Sequence, residues 1–346
     1  DHTYTTHALE DTWFELNQDG FDFKTPWSNQ DPDEETYALL TPKLNGGATS
    51  AIGSQFKYSE DNGNSWVTLT YNGSAPVEIP VEYLDTVEFK ATPNVKGSFE
   101  IEVQAKTVDT DPDTGDKVSA VSGSATLTNG VIEPVADKVT LAVSSGLNTL
   151  EDVPVALKVR PTSSDPSETF NVTIEDIPDG AKFYYDGEEL TVSSGSVTIE
   201  DYSAAKTLSI LPPHNSNEDF VLKVSAVSVD SHGGITDVSD VATLLITVNV
   251  QGVADPAILD VHNFSTTEAD LDSGGNAIAL SEVINSASLT DTDGSETLTL
   301  VLTGLDPEFT VEGATFTGGV GTGRVWIIDT SKLASTNIVA PENYSG

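Results

Sequence analysis

Glu133-Pro134-Val135-Ala136-Asp137 returns further along the chain as Gly252-Val253-Ala254-Asp255-Pro256. Each copy follows a β-branched run (125–131 and 243–250) and precedes another (139–143 and 257–261). Proline cannot donate to a sheet ladder, so a short proline-bearing segment between two strand-like runs reads as a joint between domains. The chain thus divides into three units, 1–135, 136–252 and 253–346. Each joint carries an aspartate, Asp137 or Asp255, and the acids around it decide what the joint does.

Outward from the joints the pattern is almost wholly strand. Runs rich in Val, Ile and Thr lie at 55–58, 65–71, 86–91, 99–108, 153–159, 169–175, 207–211, 220–229, 297–302 and 325–328, punctuated by Gly, Asn, Asp and Pro. Phe220-Val221-Leu222-Lys223-Val224-Ser225-Ala226 alternates with period two, the mark of a half-buried strand. Asp61-Asn62-Gly63-Asn64 is a tight-turn signal. Helix signals are weak, and 280–287 gives at most one short turn. The predicted class is all-β: tandem immunoglobulin-like β-sandwich domains in an extended rod.

The units repeat one another. Leu9-Glu10-Asp11-Thr12 returns as Leu150-Glu151-Asp152-Val153, and more loosely as Thr267-Glu268-Ala269-Asp270. An acidic cluster follows in each unit: Asp31-Pro32-Asp33-Glu34-Glu35-Thr36, Asp165-Pro166-Ser167-Glu168-Thr169 and Asp291-Thr292-Asp293-Gly294-Ser295-Glu296-Thr297. A third block runs from Pro93-Asn94-Val95-Lys96-Gly97-Ser98-Phe99 to Asp109, and again from Pro213-His214-Asn215-Ser216-Asn217-Glu218-Asp219-Phe220 to Asp230. The third unit stops inside this block, at Pro341-Glu342-Asn343-Tyr344-Ser345-Gly346. It is therefore expected to be truncated or split, short of about two strands whose absence leaves edges unpaired.

Strand reversal places these acids. In a sandwich of about seven strands entered at the top and left at the bottom, the Glu-Asp pair after the first strand turns at the bottom. The acidic cluster after the second strand, and the Asp that ends the sixth, lie at the top. The first joint then gathers Glu10, Asp11, Asp137, Asp165, Glu168 and Asp230. The second gathers Glu151, Asp152, Asp255, Asp291, Asp293 and Glu296. Carboxylates crowded together raise one another's pKa, and Ca²⁺, which takes six to eight oxygens at about 2.3–2.6 Å, relieves the repulsion. Aspartate also favours turns on its own account, which would suffice for any single one of these residues. A separate run, Asp109-Thr110-Asp111-Pro112-Asp113-Thr114-Gly115-Asp116, starts like an EF-hand loop. It departs from that motif at Thr114, where glycine is required, and at Ala120, where glutamate is.

Composition narrows the function. The 346 residues include 55 acidic and 15 basic ones, a formal net charge of −40, which opposes nucleic acid and anionic membrane. No cysteine is present, so neither disulfides nor thiolate metal sites hold the fold. No run of about 18 apolar residues occurs. The chain opens at Asp1 without Met or a leader, and is expected to come from a longer protein. His2, His7, His214, His232 and His262 have no metal-pair spacing, and no G-x-S-x-G elbow appears, so no enzyme is expected. Gly318-Gly319-Val320-Gly321-Thr322-Gly323 precedes a strand and reads as a turn.

Taken together, L-E-D-T/V, D-P-S-E-T, D-T-D-G-S-E-T-L, the P-x-N-S-x-x-D-F-x-L-x-V block and G-V-A-D-P resemble the tandem extracellular domains of large RTX-type bacterial adhesins. The similarity is strongest over 138–256 and 252–346 and weaker over 1–135. It implies a monomeric segment outside the cell, at the bacterial surface, in which calcium stiffens the joints between neighbouring domains. It also implies that a ligand-binding module can interrupt a split domain. No G-G-x-G-x-D nonapeptides and no regular Thr/Asx array occur, so the calcium β-roll and an ice-binding face are not expected.

Two functions fit this pattern. One is a calcium-rigidified spacer of a surface adhesin, serving cell attachment and biofilm formation. The other is a module binding a peptide or glycan of a host or microbial surface. The second is motivated by the long first unit with Trp13, Trp27, Tyr37, Tyr58, Trp66, Tyr71 and Tyr83, although core and strand-face roles would also account for these rings.

Overall fold

The computed structural model describes residues 6–16, 33–273, 276–291 and 293–344. Asp31, Pro32, Trp27, His2 and Thr292 lie outside them. The second unit shows the plan most fully. One sheet runs Leu147–Leu150, Ala242–Gln251, Phe220–His232, Thr169–Glu175, Val197–Ile199, with Ile235–Val238 added to the long central strand. The facing sheet runs Val155–Leu157, Leu208–Leu211, Lys182–Tyr185, Glu188–Leu190. Alternating burial along the strands turns Val172, Ile174, Leu222, Val224, Ile246 and Val248 toward Phe183 and Ile210 of the opposite sheet. Two sheets closing over one apolar layer make a β-sandwich.

The first strand of this unit is divided between the sheets. Thr140–Val143 pairs antiparallel with Val159–Thr162, and Leu147–Leu150 then runs parallel to the last strand, Ala242–Gln251. Gly146, at φ 63°, permits the step between the two halves. This divided edge, with the third strand lying beside the sixth, is an immunoglobulin-like topology. The first unit repeats the two sheet orders, with the second half of the first strand described: Thr6–Leu9, Ala125–Glu133, Gly97–Thr110, Glu34–Leu44 and Val77–Pro80 in one sheet, and Phe14–Glu15, Glu88–Lys90, Gln55–Tyr58 and Val67–Thr70 in the other. Phe56, Phe89 and Phe99 fill its core.

The third unit contains only part of the plan. Ile258–Val261 pairs with Ile284–Ser288, Ala277–Ala279 with Asn337–Val339, and Thr299–Leu302 with Val325–Asp329. Among the described residues nothing corresponds to Phe220–His232 or Ala242–Gln251, so Thr299–Leu302 pairs along one edge only. Leu300 of this strand faces inward and Val301 faces outward, 62 % exposed. The loose third copy at Thr267 to Asp270 does not form the expected turn. It opens a short α-helix, Glu268–Ser273, because the strand that pairs with this stretch in the other units is lacking. The short helix expected within 280–287 is one 3₁₀ turn, Leu280–Glu282, followed by strand.

The buried apolar residues fall in three separate clusters, one in each unit, so the third unit is a body with a core of its own.

The third body has the smallest buried core, built on Leu280, Leu300, Ile328 and Ile338, and should unfold first in urea. Trp326, buried beside Phe316, reports on it. With Trp13, Trp27 and Trp66 replaced by Phe, its fluorescence should change at lower urea than the circular dichroism of the remaining sheets. Coincident transitions would contradict an incomplete third core.

Candidate metal centre

Each junction is held by the end of one sandwich and two loops of the next. In the first, the ladder between Thr6–Leu9 and Ala125–Glu133 ends with Glu10 N–H donating to Glu133 O at 3.0 Å. In the second, Glu151 N–H donates to Gln251 O, also at 3.0 Å. The ladder therefore aims each glutamate into the gap beneath its own domain. Asp11 and Asp152, at φ 55° and 57°, form the left-handed turns that follow.

From the other side come the loops of the next domain. Asp165 is braced by Ser167, whose N–H reaches Oδ1 at 2.7 Å and whose hydroxyl reaches Oδ2 at 2.8 Å. Asp291 has the same brace from Asp293 N–H at 2.9 Å and Ser295 Oγ at 3.2 Å. The linker closes each ring. Asp137 N–H donates to Glu168 Oε1 at 2.5 Å, and Asp255 N–H donates to Glu296 Oε1 at 2.6 Å.

Two sets of carboxylate oxygens result. Glu10, Asp165 and Asp230 bring theirs within 4.8 Å of one another, and so do Glu151, Asp291 and Asp293. Each set joins residues of two domains. Glu10, Asp165 and Asp230 are 1 %, 2 % and 1 % exposed, burial that an isolated carboxylate does not sustain. Both Glu10 oxygens, Glu168 Oε2 and Asp230 Oδ2 are buried without a hydrogen-bond partner. At the second junction Glu151 Oε2, Glu296 Oε2 and Asn215 Oδ1 are in the same condition. Such oxygens are rare in folded proteins and call for a cation or a proton. The donors are all oxygen, the set that hard divalent cations take, so these residues fit such an ion.

Six of the twelve acids expected from the sequence enter the two close sets, and Glu168 and Glu296 add unpartnered oxygens at their margins. The remaining four serve otherwise. Asp137 accepts Ser164 Oγ at 2.6 Å. Asp255 contributes its backbone N–H. Asp152 accepts Asn215 N–H at 3.1 Å and pairs with His214 Nδ1 at 2.8 Å, tying its turn to the neighbouring loop of its own domain. Asp11 adds charge beside Glu10. Two participants were not expected. Lys96 lies among the acids of the first junction, 3.5 Å from Asp165 and ion-paired with Asp230. Asp237, facing Asp230 across a hairpin, accepts Ala136 N–H at 2.9 Å. Its place opposite Asp230, after the Gly233-Gly234 turn, was the signal available for it.

Electrostatics follow the packing. Burial pushes the Glu10 carboxyl up to about 7, Lys96 opposes the rise, and Asp165, Asp11 and Asp137 add to it. Hydrogen bonds from Ser295 hold Asp293 below the usual carboxylate range.

The other candidates have internal roles. Asp111 accepts N–H bonds from Asp113 and Thr114 at 2.8 and 3.1 Å, so the EF-hand-like run is a hairpin turn capped by its second aspartate. Among the aromatics, Tyr58 stacks on Tyr83 at 5.4 Å and Tyr71 is buried. Lys57 Nζ sits 4.7 Å from the Trp13 ring and 4.1 Å from the Trp66 ring, so those faces have a partner.

No protein-family model matches this chain, and no curated protein matches it. Two solved structures of a marsupial T cell receptor align with it. One covers 88 % of both chains at 12 % identity with a TM-score of 0.23. The other covers 90 % of this chain and 91 % of that one, at 10 % identity and 0.21. Strand pairing, rather than these distant alignments, assigns the fold.

Glu10 gives a pH test. A carboxyl raised from 4.5 to about 7 stabilises the folded state below pH 4.5, and that contribution is lost as pH rises through 7. In EDTA, urea-derived stability should fall as pH rises from about 4.5 to 7 and level off above that. Glu10→Gln should flatten that fall, and superimposable curves for the two proteins would contradict the assignment.

Proposed function

We propose that this chain is a calcium-stiffened spacer of a secreted bacterial surface adhesin, which holds ligand-binding modules away from the cell for attachment and biofilm formation. The single observation that carries the calcium reading is the close approach of carboxylates from two domains at each junction, with buried oxygens lacking a hydrogen-bond partner among them, on Glu10 and Asp230 at the first and on Glu151 at the second. Repulsion between two such charges about 4 Å apart is near 1 kcal/mol in water and about 4 kcal/mol at the effective dielectric of a protein surface. Without a cation the two domains tend to part, or their acids take up protons. Ca²⁺ suits the site because it accepts irregular oxygen sets from carboxylate, carbonyl and amide groups. Glu10, Asp165, Asp230 and Glu168 would hold it at the first junction, and Glu151, Asp291, Asp293 and Glu296 at the second. Bound there, the ion converts a hinge into a fixed angle.

The adhesin setting rests on the order of the repeated blocks, L-E-D, D-P-S-E-T and G-V-A-D-P, and on the net charge of −40. The setting is extracellular, at the bacterial cell surface, in a monomeric chain whose partners are neighbouring domains. No enzymatic step is assigned to it. Among the described residues no helix is long and apolar enough to cross a membrane.

Calcium at 100 times its dissociation constant stabilises a binding fold by about 2.7 kcal/mol, so EDTA should lower the melting temperature by several degrees. Asp291→Asn should remove calcium from the second junction while both flanking sandwiches keep their circular dichroism. Metal analysis finding no calcium in the purified chain, together with an unchanged melt in EDTA, would refute the proposal.

A further inference from the structure

The two junctions share one frame and differ in their third carboxylate, Asp230 in the first and Asp293 in the second, and at one position of the loop that faces it. The edge ladders match Leu9 with Glu133 and Leu150 with Gln251, and within them Phe99 pairs with Gly130 and Phe220 with Val248. Counting back from the two phenylalanines makes Asn94 equivalent to Asn215 and Lys96 equivalent to Asn217. The backbone agrees, since Asn94 and Asn215 are both left-handed, at φ 58° and 53°. Each donates its side-chain amide to the carbonyl preceding the loop aspartate, Ser164 O at 2.9 Å and Thr290 O at 3.4 Å. Two residues on, the same scaffold presents an ammonium in one junction and a neutral amide in the other.

Lys96 is used fully. Its Nζ donates to Ser167 Oγ at 2.9 Å, lies 3.5 Å from Asp165 and pairs with Asp230, and its side chain is only 14 % exposed. It comes from the first domain, whereas all three partners belong to the second. Asn217 reaches Asp293 only through its backbone N–H. A cavity of about 530 Å³ remains at that junction, lined by Asn217, Val253, Asp255 and Glu296 among others. Among the described residues no lysine or arginine pairs with Glu151, Asp291 or Asp293.

We propose that Lys96 is a tethered cation that keeps the first junction docked without a divalent metal, so that calcium depletion frees the second junction and spares the first. The lysine part stands on the contacts just given, and the calcium part rests on the reading under Proposed function. The ammonium occupies the ground where a dication would sit and repels it, so calcium should bind the first junction at least about tenfold more weakly than the second. The chain then has one hinge with a threshold: above it the arm is stiff throughout, and below it the third body swings while the first two stay joined.

The absence of cysteine makes distance measurement between spin labels straightforward. Ser119→Cys with Glu188→Cys spans the first junction, and Glu188→Cys with Glu312→Cys spans the second, all at exposed positions. In EDTA the distance distribution should be narrow across the first junction and broad across the second. Lys96→Asn, which copies the second junction's residue, should broaden the first in EDTA, and calcium should narrow it again. The reciprocal Asn217→Lys should narrow the second in EDTA. Equal widths at the two junctions, or no response to either exchange, would overturn the role of Lys96. A second junction whose width ignores calcium, while Lys96→Asn still broadens the first, would instead overturn the calcium reading and leave the lysine assignment standing.

Discussion

Negative charge buried between two folded bodies is the constraint on which the rest of this molecule depends. Each sandwich is stable through its own apolar layer, and nothing in those layers ties one domain to the next. What crosses the junctions is a set of carboxylates facing one another, nearly all buried at the first and beside an open cavity at the second. Such a set has three physical resolutions: protonation, a tethered ammonium, or a bound ion. The first junction shows two of them in its own chemistry, a glutamate with a raised pKa and a lysine among the acids. Among the described residues the second has no lysine or arginine paired with its acids, only the His214 imidazole beside Asp152, and depends more on what solution supplies.

The same constraint explains why the junction residues recur while the domain surfaces do not. A glutamate at the end of the edge ladder is aimed by backbone geometry, so its position is set by the sandwich itself. The loop aspartates are pre-formed by serine and backbone donors, which fix their direction before the domains meet. Little conformational entropy is then left to lose on docking, and an ion finds oxygens already converging.

Much of this was legible in the sequence, because it follows from counting. Strands reverse, so Glu10 and Asp165 must lie at opposite ends of their domains and adjacent across a joint, whatever the loop details. The repeated blocks marked the units, and alternation in 220–226 marked a central strand whose observed span is Phe220–His232. What could not be read was direction at the scale of a side chain. Asp152 was diverted to Asn215 and His214 because its left-handed turn points it at its own domain. Lys96 was quoted within a repeated block but not recognised, since only the left-handed Asn94 swings that loop into the acids. The eleven-residue strand Glu34–Leu44 was missed because it begins inside the acidic cluster and is buried at three consecutive residues, Ala38, Leu39 and Leu40, instead of alternating. The third unit's helix followed from a missing partner strand, a tertiary cause that local sequence does not carry.

The most direct measurement is anomalous X-ray diffraction from crystals of this chain grown with calcium, read at the second junction, where no lysine competes. The account predicts a peak bounded by oxygens of Glu151, Asp291 and Asp293 at about 2.3–2.6 Å, with the Glu296 carboxylate in or beside the coordination sphere. Carboxylates hydrogen-bonded to one another or to water at that position, with no anomalous peak among them, would contradict it.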